Sequence, residues 1–331
     1  MKERYPDPAE SLPNPAEPHL CSCIRRAIRR YALVKRAREF IVKNTSSTAV
    51  ASAGRAHEVN AQLALKVARL IGSREKLATA IPRLTVARRT ALTPACPATY
   101  EPSVVVIPQG RKQVQIGSDT LTYDSSRYLL TSVDLPTVTR VVEASEDTPC
   151  LAVALKLDIS IIREFLAREE FHMSDEPPDS PAMSTGPVTP EFLSAWCRLL
   201  DLLSTPGDIP FLSGFIEREI IYRILRGPEA ARLRAVATSG DQSHRTAKAI
   251  GWIKANYSKP LHVEELAQVA GMAASTLYHH FRALTAMSPL QYQKQIRLQA
   301  ARARMLADIR ALRSPSTPRL ESVAAASQVS Q

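Results

Sequence analysis

The spacing of hydrophobic positions changes twice along the chain, and each change marks a predicted region. Residues 58–71 place apolar side chains at helical spacing. From 78 to 157 the chain turns to short β-rich runs separated by turn residues, which predicts a small antiparallel sandwich or barrel. Helical spacing returns after this block and continues to the C-terminal region. The pattern therefore predicts an α+β chain, with a β-barrel flanked by helices and an all-α region behind it.

Two segments of this pattern make specific predictions. Gly117-Ser118-Asp119 lies between two alternating runs and predicts a hairpin turn. The segment 174–190 is rich in Pro, which predicts a loop.

A third prediction concerns the helix at 213–226, which is amphipathic. Its apolar side is expected to carry Phe215, Ile216, Ile220, Ile224 and Leu225. This side has two open interpretations, because such a helix either supplies a dimer interface or only covers the barrel.

The C-terminal region has the layout of a helix-turn-helix. Val263 to Ala270 is predicted to be a short helix that buries Leu266 and Val269. Gly271 follows and supplies the positive φ that a tight turn to the next helix needs. Because a helix-turn-helix lays its second helix in the DNA major groove, this layout predicts a DNA-binding unit.

The second helix, Ala274 to Leu284, is the predicted recognition helix. Leu277, Phe281 and Leu284 have helical spacing and are expected to face inward. The other side carries side chains that can donate to phosphates or base edges. These candidate DNA-binding residues are Ser275, Thr276, Tyr278, His279 and Arg282. The alternative is an ordinary helical hairpin with a polar face.

A long basic helix is predicted to begin at Ser288-Pro289, with Pro in the first turn. It is expected to bury Leu290, Tyr292 and Ile296 and to present Gln291, Lys294 and Gln295 to solvent. Lys294 and Arg297 complete the set of candidate DNA-binding residues.

Charge supports this interpretation. The formal net charge is +11, and residues 241–331 hold twelve Lys and Arg against five Asp and Glu. Residues 1–58 are also basic, whereas the middle of the chain is close to neutral. A neutral body with a basic C-terminal block predicts a sensing or dimerising domain joined to a domain that binds a polyanion.

The N-terminal extension, 1–57, is expected to be partly disordered because it begins rich in Pro and acidic residues. Residues 21–43 have helical spacing with many Arg. They are either a basic arm that contacts DNA or an acidic surface, or a solvated helix, or translation from an upstream start codon. No apolar run predicts a membrane span or a signal peptide, so a cytoplasmic protein is expected.

The chemistry of the side chains predicts no catalytic residue, metal site or cofactor. The β-rich block 78–157 contains no His and so cannot build a His-metal centre. No nucleophile elbow or P-loop is present. The cysteines follow no ligand or disulfide spacing and are expected to be free thiols. They are Cys21, Cys23, Cys96, Cys150 and Cys197.

The C-terminal motifs resemble the DNA-binding domain of AraC/XylS-type bacterial transcription regulators. The resemblance rests on an ELA-x-x-A-G-M turn, then S-x-L-x-x-x-F, then M-S-P-x-x-Y, then R-L-x-x-A. The matching positions are Glu265, Leu266, Ala267, Ala270, Gly271, Met272, Ser275, Leu277, Phe281, Met287, Ser288, Pro289, Tyr292, Arg297, Leu298 and Ala301.

The β-rich block also resembles the N-terminal domain of one AraC subgroup. The matching segments are Ala80-Ile81-Pro82, Tyr100-Glu101-Pro102-Ser103, Gln109-Gly110, Tyr123-Asp124, Arg127-Tyr128-Leu129 and Ser132-Val133-Asp134-Leu135-Pro136. Together the two resemblances imply an effector and dimerisation domain with a cupin-like barrel at 58–235, a linker at 236–244 and a helix-turn-helix domain at 245–331.

The resemblance assigns roles to several residues. Ser275, Tyr278 and His279 match the base-reading face of the family, while Thr276 and Arg282 match positions expected to contact phosphate. A small-molecule effector is implied for the barrel. Its candidate lining residues are Tyr100, Val106, Tyr123 and Tyr128, which serve equally well as core residues.

Two departures from the family pattern are visible. Ala273 stands where the family often has Ser or Thr, which forfeits a helix cap worth about 1 kcal/mol. The family also has two helix-turn-helix units, and the second is incomplete here. Residues 321–326 resemble only the first helix of a second unit, so a truncated or frameshifted product is expected.

The sequence thus predicts a sequence-specific regulator that binds double-stranded DNA, has a small-molecule effector and can form a homodimer. Two alternatives stay open. The first is a truncated dimerisation partner that silences intact relatives without binding DNA. The second is a cupin-type enzyme.

Overall fold

The computed structural model describes residues 53–167, 181–238 and 241–313, with the side chains of 310–313 excepted. The predicted disordered N-terminus, the basic segment 21–43 and the partial second unit at 321–326 lie outside the described residues. The contacts below all fall within one compact unit, Val59–Gln331.

Two antiparallel sheets form the first part of the described chain. The larger has the order β1-β2-β9-β4-β7-β10 and the smaller β3-β8-β5-β6. The strands are β1 (Lys76–Ala78), β2 (Leu84–Arg89), β3 (Cys96–Tyr100), β4 (Ser103–Gln109), β5 (Arg111–Ile116), β6 (Asp119–Tyr123), β7 (Arg127–Thr131), β8 (Leu135–Glu143), β9 (Cys150–Lys156) and β10 (Met183–Pro187). The predicted β-rich domain with flanking helices and a helical C-terminal region is confirmed.

The two sheets pack face to face around a shared core. Val105 and Ile107 of β4 belong to the same buried cluster as Val114 of β5 and Val141 of β8. Because side chains alternate across a strand, every second residue of β4 contributes to this core. The predicted hairpin turn also forms, since Ile116 pairs with Asp119 across Gly117 and Ser118.

Helices cover the outer face of the larger sheet and then continue to the C-terminal region. They are α1 (53–71), α2 (Ile159–Leu166), α3 (Pro190–Asp201), α4 (Ile209–Leu225), α5 (Ala230–Ala237), α6 (Gln242–Ala255), α7 (Val263–Ala270), α8 (Ala274–Thr285) and α9 (Pro289–Arg313). Trp196 of α3 is fully buried, and Tyr128 of β7 packs on Phe192 of α3 with ring centroids 4.9 Å apart. The amide of Asn60 in α1 donates to the carbonyl of Pro108, 2.8 Å away.

The predicted Pro-rich loop at 174–190 is wrong in its second half, which forms strand β10. Met183 to Pro187 pair in register with Thr131 to Arg127 of β7. This strand lies at the edge of its sheet, where a Pro that lacks an N–H can be accommodated. Pro-rich composition therefore concealed a strand that only the neighbouring β7 could reveal.

Helix α4 is buried on a different side from the one predicted. Ile220, Ile224 and Leu225 are buried as expected, but Phe215 is 72% exposed. The buried side also carries Glu217, whose carboxylate pairs with the guanidinium of Arg83 at 2.6 Å. Burial raises the pKa of Glu217, and the charge of Arg83 opposes that rise.

The predicted linker 236–244 takes in the end of one helix and the start of another. Helix α5 ends at Ala237, and α6 begins at Gln242 with Asp241 as its N-cap, whose side chain accepts from the backbone N–H of Ser243. Ile250 and Ile253 of α6 then enter the same buried cluster as the sheets and the helix-turn-helix residues.

Candidate nucleic-acid interface

Helices α7 and α8 are joined by a tight turn at Gly271. This residue has φ of 65°, as its position in the sequence predicted. The backbone N–H of Met272 donates to the carbonyl of Ala267, which closes the end of α7. The guanidinium of Arg245 on α6 donates to the Gly271 carbonyl at 3.2 Å. The turn is thus fixed from inside by its own backbone and from outside by α6.

Helix α8 separates an apolar face from a polar one. Leu277, Phe281 and Leu284 are buried, which confirms the predicted inward face. Tyr278 is 45% exposed. Along the outer face, Ser275, His279 and Arg282 are exposed and Thr276 is half-buried. The exposed side therefore presents hydroxyl, imidazole and guanidinium groups on one rigid helix.

The two ends of α8 are closed in different ways. At its start, Ala273 makes no side-chain cap, as the sequence predicted. At its end, Ala286 adopts the left-handed conformation with φ of 57°. The turn residue Gly117 of the β5–β6 hairpin lies against this end, because a Cβ on Gly117 would stand 2.9 Å from the Ala286 carbonyl oxygen. The β-domain therefore contacts the C-terminal end of α8.

Helix α9 begins with a reciprocal cap that sequence reasoning missed. The N–H of Ser288 donates to the side chain of Gln291 at 2.9 Å, and the N–H of Gln291 donates to the hydroxyl of Ser288 at 3.2 Å. The signal was present, since Ser followed three residues later by Gln is the capping-box pattern.

Two burial predictions near this interface are wrong. Val269 is 38% exposed and Leu290 is 64% exposed. The buried positions of α9 include Tyr292, Gln293 and Ile296. Leu290 lies in the first turn of α9 and stays exposed, whereas the polar residue Gln293, one turn later, is buried instead.

The two basic candidates on α9 differ in their surroundings. Lys294 is exposed, and among the described residues no hydrogen bond or ion pair engages its ammonium. Arg297 is exposed as well, but its guanidinium donates to the carbonyls of Tyr257 at 2.5 Å and Lys259 at 2.6 Å. Lys294 is thus available to a ligand, whereas the guanidinium of Arg297 is bound to the connection between α6 and α7.

The β-domain and the helix-turn-helix region share a polar contact. The ammonium of Lys254 on α6 lies 2.6 Å from a carboxylate oxygen of Asp134 and 3.2 Å from one of Glu101. The hydroxyl of Tyr292 donates to the backbone carbonyl of Asp134 at 2.7 Å. Burial raises the pKa of Tyr292, so this hydroxyl keeps its proton. The amide of Gln299 donates to the carbonyl of Ala98 at 3.0 Å.

Two cavities lie along this contact. One, of about 380 Å³, is lined by Gln115 and Thr137 from the smaller sheet and by Met287 and Gln291 from the α8–α9 region. The other, of about 260 Å³, is lined by the 132–134 connection and by α2 and α6, including Arg163, His244 and Lys248.

The four candidate effector residues do not line one pocket. The hydroxyls of Tyr100 and Tyr123 lie 3.3 Å apart at the core between the sheets. Burial raises the pKa of the Tyr123 hydroxyl. Tyr128 instead faces α3, and Val106 follows the core residue Val105, so its side chain points to the helical layer as well.

Cys96, Cys150 and Cys197 are free thiols, and Cys21 and Cys23 lie outside the described residues. Within the described ranges, no group of three or more His, Cys, Asp or Glu side chains could hold a metal ion. Of the helices that the structure describes, none is both long and apolar enough to cross a membrane.

Residues 80–232 match the family model of the AraC-type transcriptional regulator N-terminus. This segment, a little under half of the chain, belongs to the N-terminal domain family of AraC-type regulators. The matched range lies inside the predicted domain 58–235 and extends from the loop before β2 into α5. Members of this family are transcriptional regulators rather than enzymes. No curated protein is similar enough to this chain in sequence to count as a match.

Several solved structures are similar to this chain. The AraC-like transcriptional activator CuxR is 13% identical, with 67% of this chain and 78% of CuxR covered and a TM-score of 0.31. An apo variant of ToxT from Vibrio cholerae is 11% identical, with 65% and 98% covered and a TM-score of 0.28. ToxT from Vibrio cholerae with bound unsaturated fatty acid is 10% identical, with 64% and 93% covered and a TM-score of 0.29. At these TM-scores the likenesses support no inference about a ligand or a partner.

Proposed function

We propose that this AraC-family chain binds double-stranded DNA in a sequence-specific manner by placing α8 in the major groove. The observation that carries the proposal is the separation of faces on α8. Leu277, Phe281 and Leu284 anchor the helix in the core, while Tyr278 and His279 project to solvent. A helix fixed along one side and lined with donors along the other is suited to base-edge recognition.

The proposed contacts divide by chemistry. Ser275, Tyr278 and His279 read base edges, because they lie on the outermost line of α8. Thr276 and Arg282 bind phosphate beside the groove, and the exposed ammonium of Lys294 adds a further phosphate contact from α9. Phosphate contacts fix the register of the protein on the duplex, whereas base contacts determine which sequence is preferred.

The test begins with selection of duplexes from a random pool by the full chain. The affinity of the wild type for the enriched duplex is compared with that of the double variant Tyr278→Ala/His279→Ala. We expect the variant to lose discrimination between enriched and scrambled duplexes, with a cost of about 1–3 kcal/mol per base contact. The matched control is Gln62→Ala/Leu65→Ala, which removes two exposed side chains of α1.

Either of two results would contradict the proposal. The wild type enriches no sequence, or the double variant binds the enriched duplex as tightly as the wild type does. Fluorescence anisotropy at a stated salt concentration gives both affinities, since protein–DNA affinity depends strongly on salt.

A homodimer through α4 is the second part of the proposal. Phe211 and Phe215 are 74% and 72% exposed, and Leu212 and Tyr222 on the same helix are also exposed. Contiguous apolar surface of this kind is typical of interaction sites. Two copies present two recognition helices to one duplex, which increases avidity without any new DNA contact.

Sedimentation equilibrium of the full chain tests the dimer. The variant Phe211→Ser/Phe215→Ser is expected to shift the mass from dimer to monomer, whereas Leu65→Ser, at a position 59% exposed on α1, leaves it unchanged. A wild type that stays monomeric at high concentration would refute this part. A dimer that enriches no DNA sequence would instead favour the silencing partner over the DNA-binding regulator.

We also propose that a small-molecule effector acts at the contact between the β-domain and the helix-turn-helix region. Both cavities described above are lined from each side of that contact. A ligand there touches both regions at once and can favour one relative position of α8. A metabolite panel screened by thermal shift should yield compounds that also change affinity for the enriched duplex. Compounds that stabilise the chain without changing that affinity would count against the proposal.

A further inference from the structure

The connection between α6 and α7 is held by side chains of α9. The guanidinium of Arg297 donates to the carbonyl of Tyr257 through Nε at 2.5 Å and to the carbonyl of Lys259 through Nη2 at 2.6 Å. The side-chain amide of Gln293 donates to the same Lys259 carbonyl at 2.8 Å. Gln293 is only 1% exposed, so this amide has no access to water. We call Gln293 and Arg297 the α9 clamp.

The chemistry of the clamp follows from the end of α6. Carbonyl oxygens at and just beyond the C-terminus of a helix lack intrahelical donors and carry partial negative charge. A guanidinium presents several N–H groups in a rigid fork, so one Arg can satisfy two such carbonyls together. An ammonium, which is a compact point charge, does not reproduce this geometry.

The clamp lies upstream of the recognition helix. The connection that it holds leads directly into α7, and the turn at Gly271 joins α7 to α8. The second turn is held from the other side, because Arg245 donates to the Gly271 carbonyl. Guanidinium groups therefore hold the connection before α7 and the turn after it, and the position of α8 depends on where α7 is held. A recognition site needs such support, since base contacts tolerate little displacement.

We propose that Arg297 and Gln293 are positioning residues, which set the orientation of α8 from behind, and that the charge of Arg297 is used on backbone carbonyls instead of on DNA phosphate. This inference rests on the proposed DNA binding and changes the role expected of Arg297. The neighbouring Lys294 keeps the role of phosphate contact, because no side chain in the described ranges engages its ammonium.

The experiment compares Arg297→Gln, Arg297→Lys and Gln293→Leu with the matched control Lys294→Gln. Affinity of the full chain for the enriched duplex is measured across a series of salt concentrations. Each phosphate contact contributes about 0.9 to the slope of log affinity against log salt. We expect Lys294→Gln to lower the slope by about that amount, whereas both Arg297 variants keep the slope and bind roughly tenfold more weakly.

Substitution by Lys separates the two roles of Arg297 most clearly. If Arg297 contacts phosphate, Arg297→Lys restores affinity while Arg297→Gln lowers the slope, and this result would overturn the proposal. If it positions α8, Lys restores the charge but not the two-carbonyl geometry, so affinity stays low and discrimination against scrambled duplex falls. Gln293→Leu, which cannot contact DNA from its buried position, is expected to show the same loss.

A second measurement keeps the clamp testable if no DNA sequence is enriched. Hydrogen exchange of the full chain without DNA should show faster exchange across 256–271 in Arg297→Gln and Gln293→Leu, with the sheets unchanged. Lys294→Gln should match the wild type throughout. Equal exchange in all variants would refute the clamp, while failure to enrich DNA would refute only the proposed function.

Discussion

The β-domain is covered on two faces, and the two coverings are built from different chemistry. The larger sheet packs on α1 and α3 through large apolar groups, with Trp196 and Leu63 fully buried. The smaller sheet shares a buried apolar cluster with the helix-turn-helix region, and that contact also contains polar groups, including the Lys254 bridge and the hydroxyl of Tyr292. Buried apolar area stabilises a fold strongly and without direction, whereas hydrogen bonds and ion pairs contribute less and depend on geometry.

This difference teaches which contact can change while the domain stays folded. Separating α3 from its sheet would expose large aromatic surface and cost the domain its core. Separating the smaller sheet from α6 and α9 would expose part of the shared apolar cluster, but water could replace the polar contacts. Contacts between domains of one chain are commonly of this more polar kind. The position of α8 thus depends on a covering that combines apolar burial with polar contacts of defined geometry.

The largest expected loss of stability belongs to Trp196→Ala, which tests the apolar covering of the larger sheet. Removing a fully buried indole should lower the free energy of unfolding by about 3–5 kcal/mol, a large part of a typical total. Urea unfolding followed by far-UV circular dichroism measures the loss. The exposed control Leu65→Ala should change stability by at most about 0.5 kcal/mol. A loss below about 1 kcal/mol for Trp196→Ala would show that the helical layer does not hold the larger sheet.

Structural features that depend only on residues close together in the sequence were predictable, and features that depend on distant residues were not. The turn at Gly271 and the inward face of α8 follow from residues within one or two helical turns, so the sequence was sufficient to predict them. The strand β10 was missed because its pairing partner, β7, is distant in the sequence. Leu290 was misplaced because hydrophobic type suggested burial, whereas the three-dimensional contacts assign that burial to Gln293.

The candidate site shows the same limit. Arg297 was grouped with the DNA contacts because it lies in a basic helix, and charge alone carries no information about a partner. Its bonds to Tyr257 and Lys259 arise only when α9 folds back on the end of α6. Similarly, Val106 and Tyr128 were grouped with Tyr100 before the direction of each strand was known. Residue type predicts which groups a side chain can bind, and the fold determines which groups lie beside it.

The second test is Gly117→Ala, which acts at the polar covering. A Cβ there meets the Ala286 carbonyl at 2.9 Å, and the residue has φ of 57°. Because Ala is strained in left-handed backbone and its Cβ would clash with a carbonyl oxygen, the free energy of unfolding should fall by about 1–3 kcal/mol. The chain has two Trp, so a Trp196→Phe background leaves Trp252 to report on α6 alone. We expect Trp252 fluorescence to show earlier unfolding of the helix-turn-helix region in urea.

The control for this test is Gly251→Ala in α6. Apart from the nearby backbone of α6 itself, nothing lies within 4 Å of its added Cβ, and Ala is preferred over Gly inside a helix by about 0.5–1 kcal/mol. This variant should therefore be stabilised in the same assay. Equal behaviour of Gly117→Ala and the wild type would mean that the β5–β6 turn does not support the end of α8.

The smallest expected effect belongs to the bridge between Lys254 and the carboxylates of Asp134 and Glu101. The Lys254 side chain is 40% exposed, so Lys254→Met should cost only about 0–1 kcal/mol and the loss should shrink as salt is added. The control is Lys248→Met on the same helix. A double-mutant cycle of Lys254→Met with Glu101→Gln isolates the coupling of that pair from other effects of each substitution.

The pH dependence of that coupling gives the sharper test. Hydrogen bonds from Lys156 and then Lys254 lower the pKa of Glu101, so its contribution is present above its ordinary value of 4.5 and is lost as the pH falls. Burial would lower the pKa of Lys254, but the hydrogen bonds to Asp134 and Glu101 outweigh it and raise the pKa above 10.5. The contribution of Lys254 is therefore present below pH 10.5 and lost above it. A coupling measured by urea unfolding should stay constant between these limits, and one that varied across neutral pH would mean that some other titrating group controls the contact.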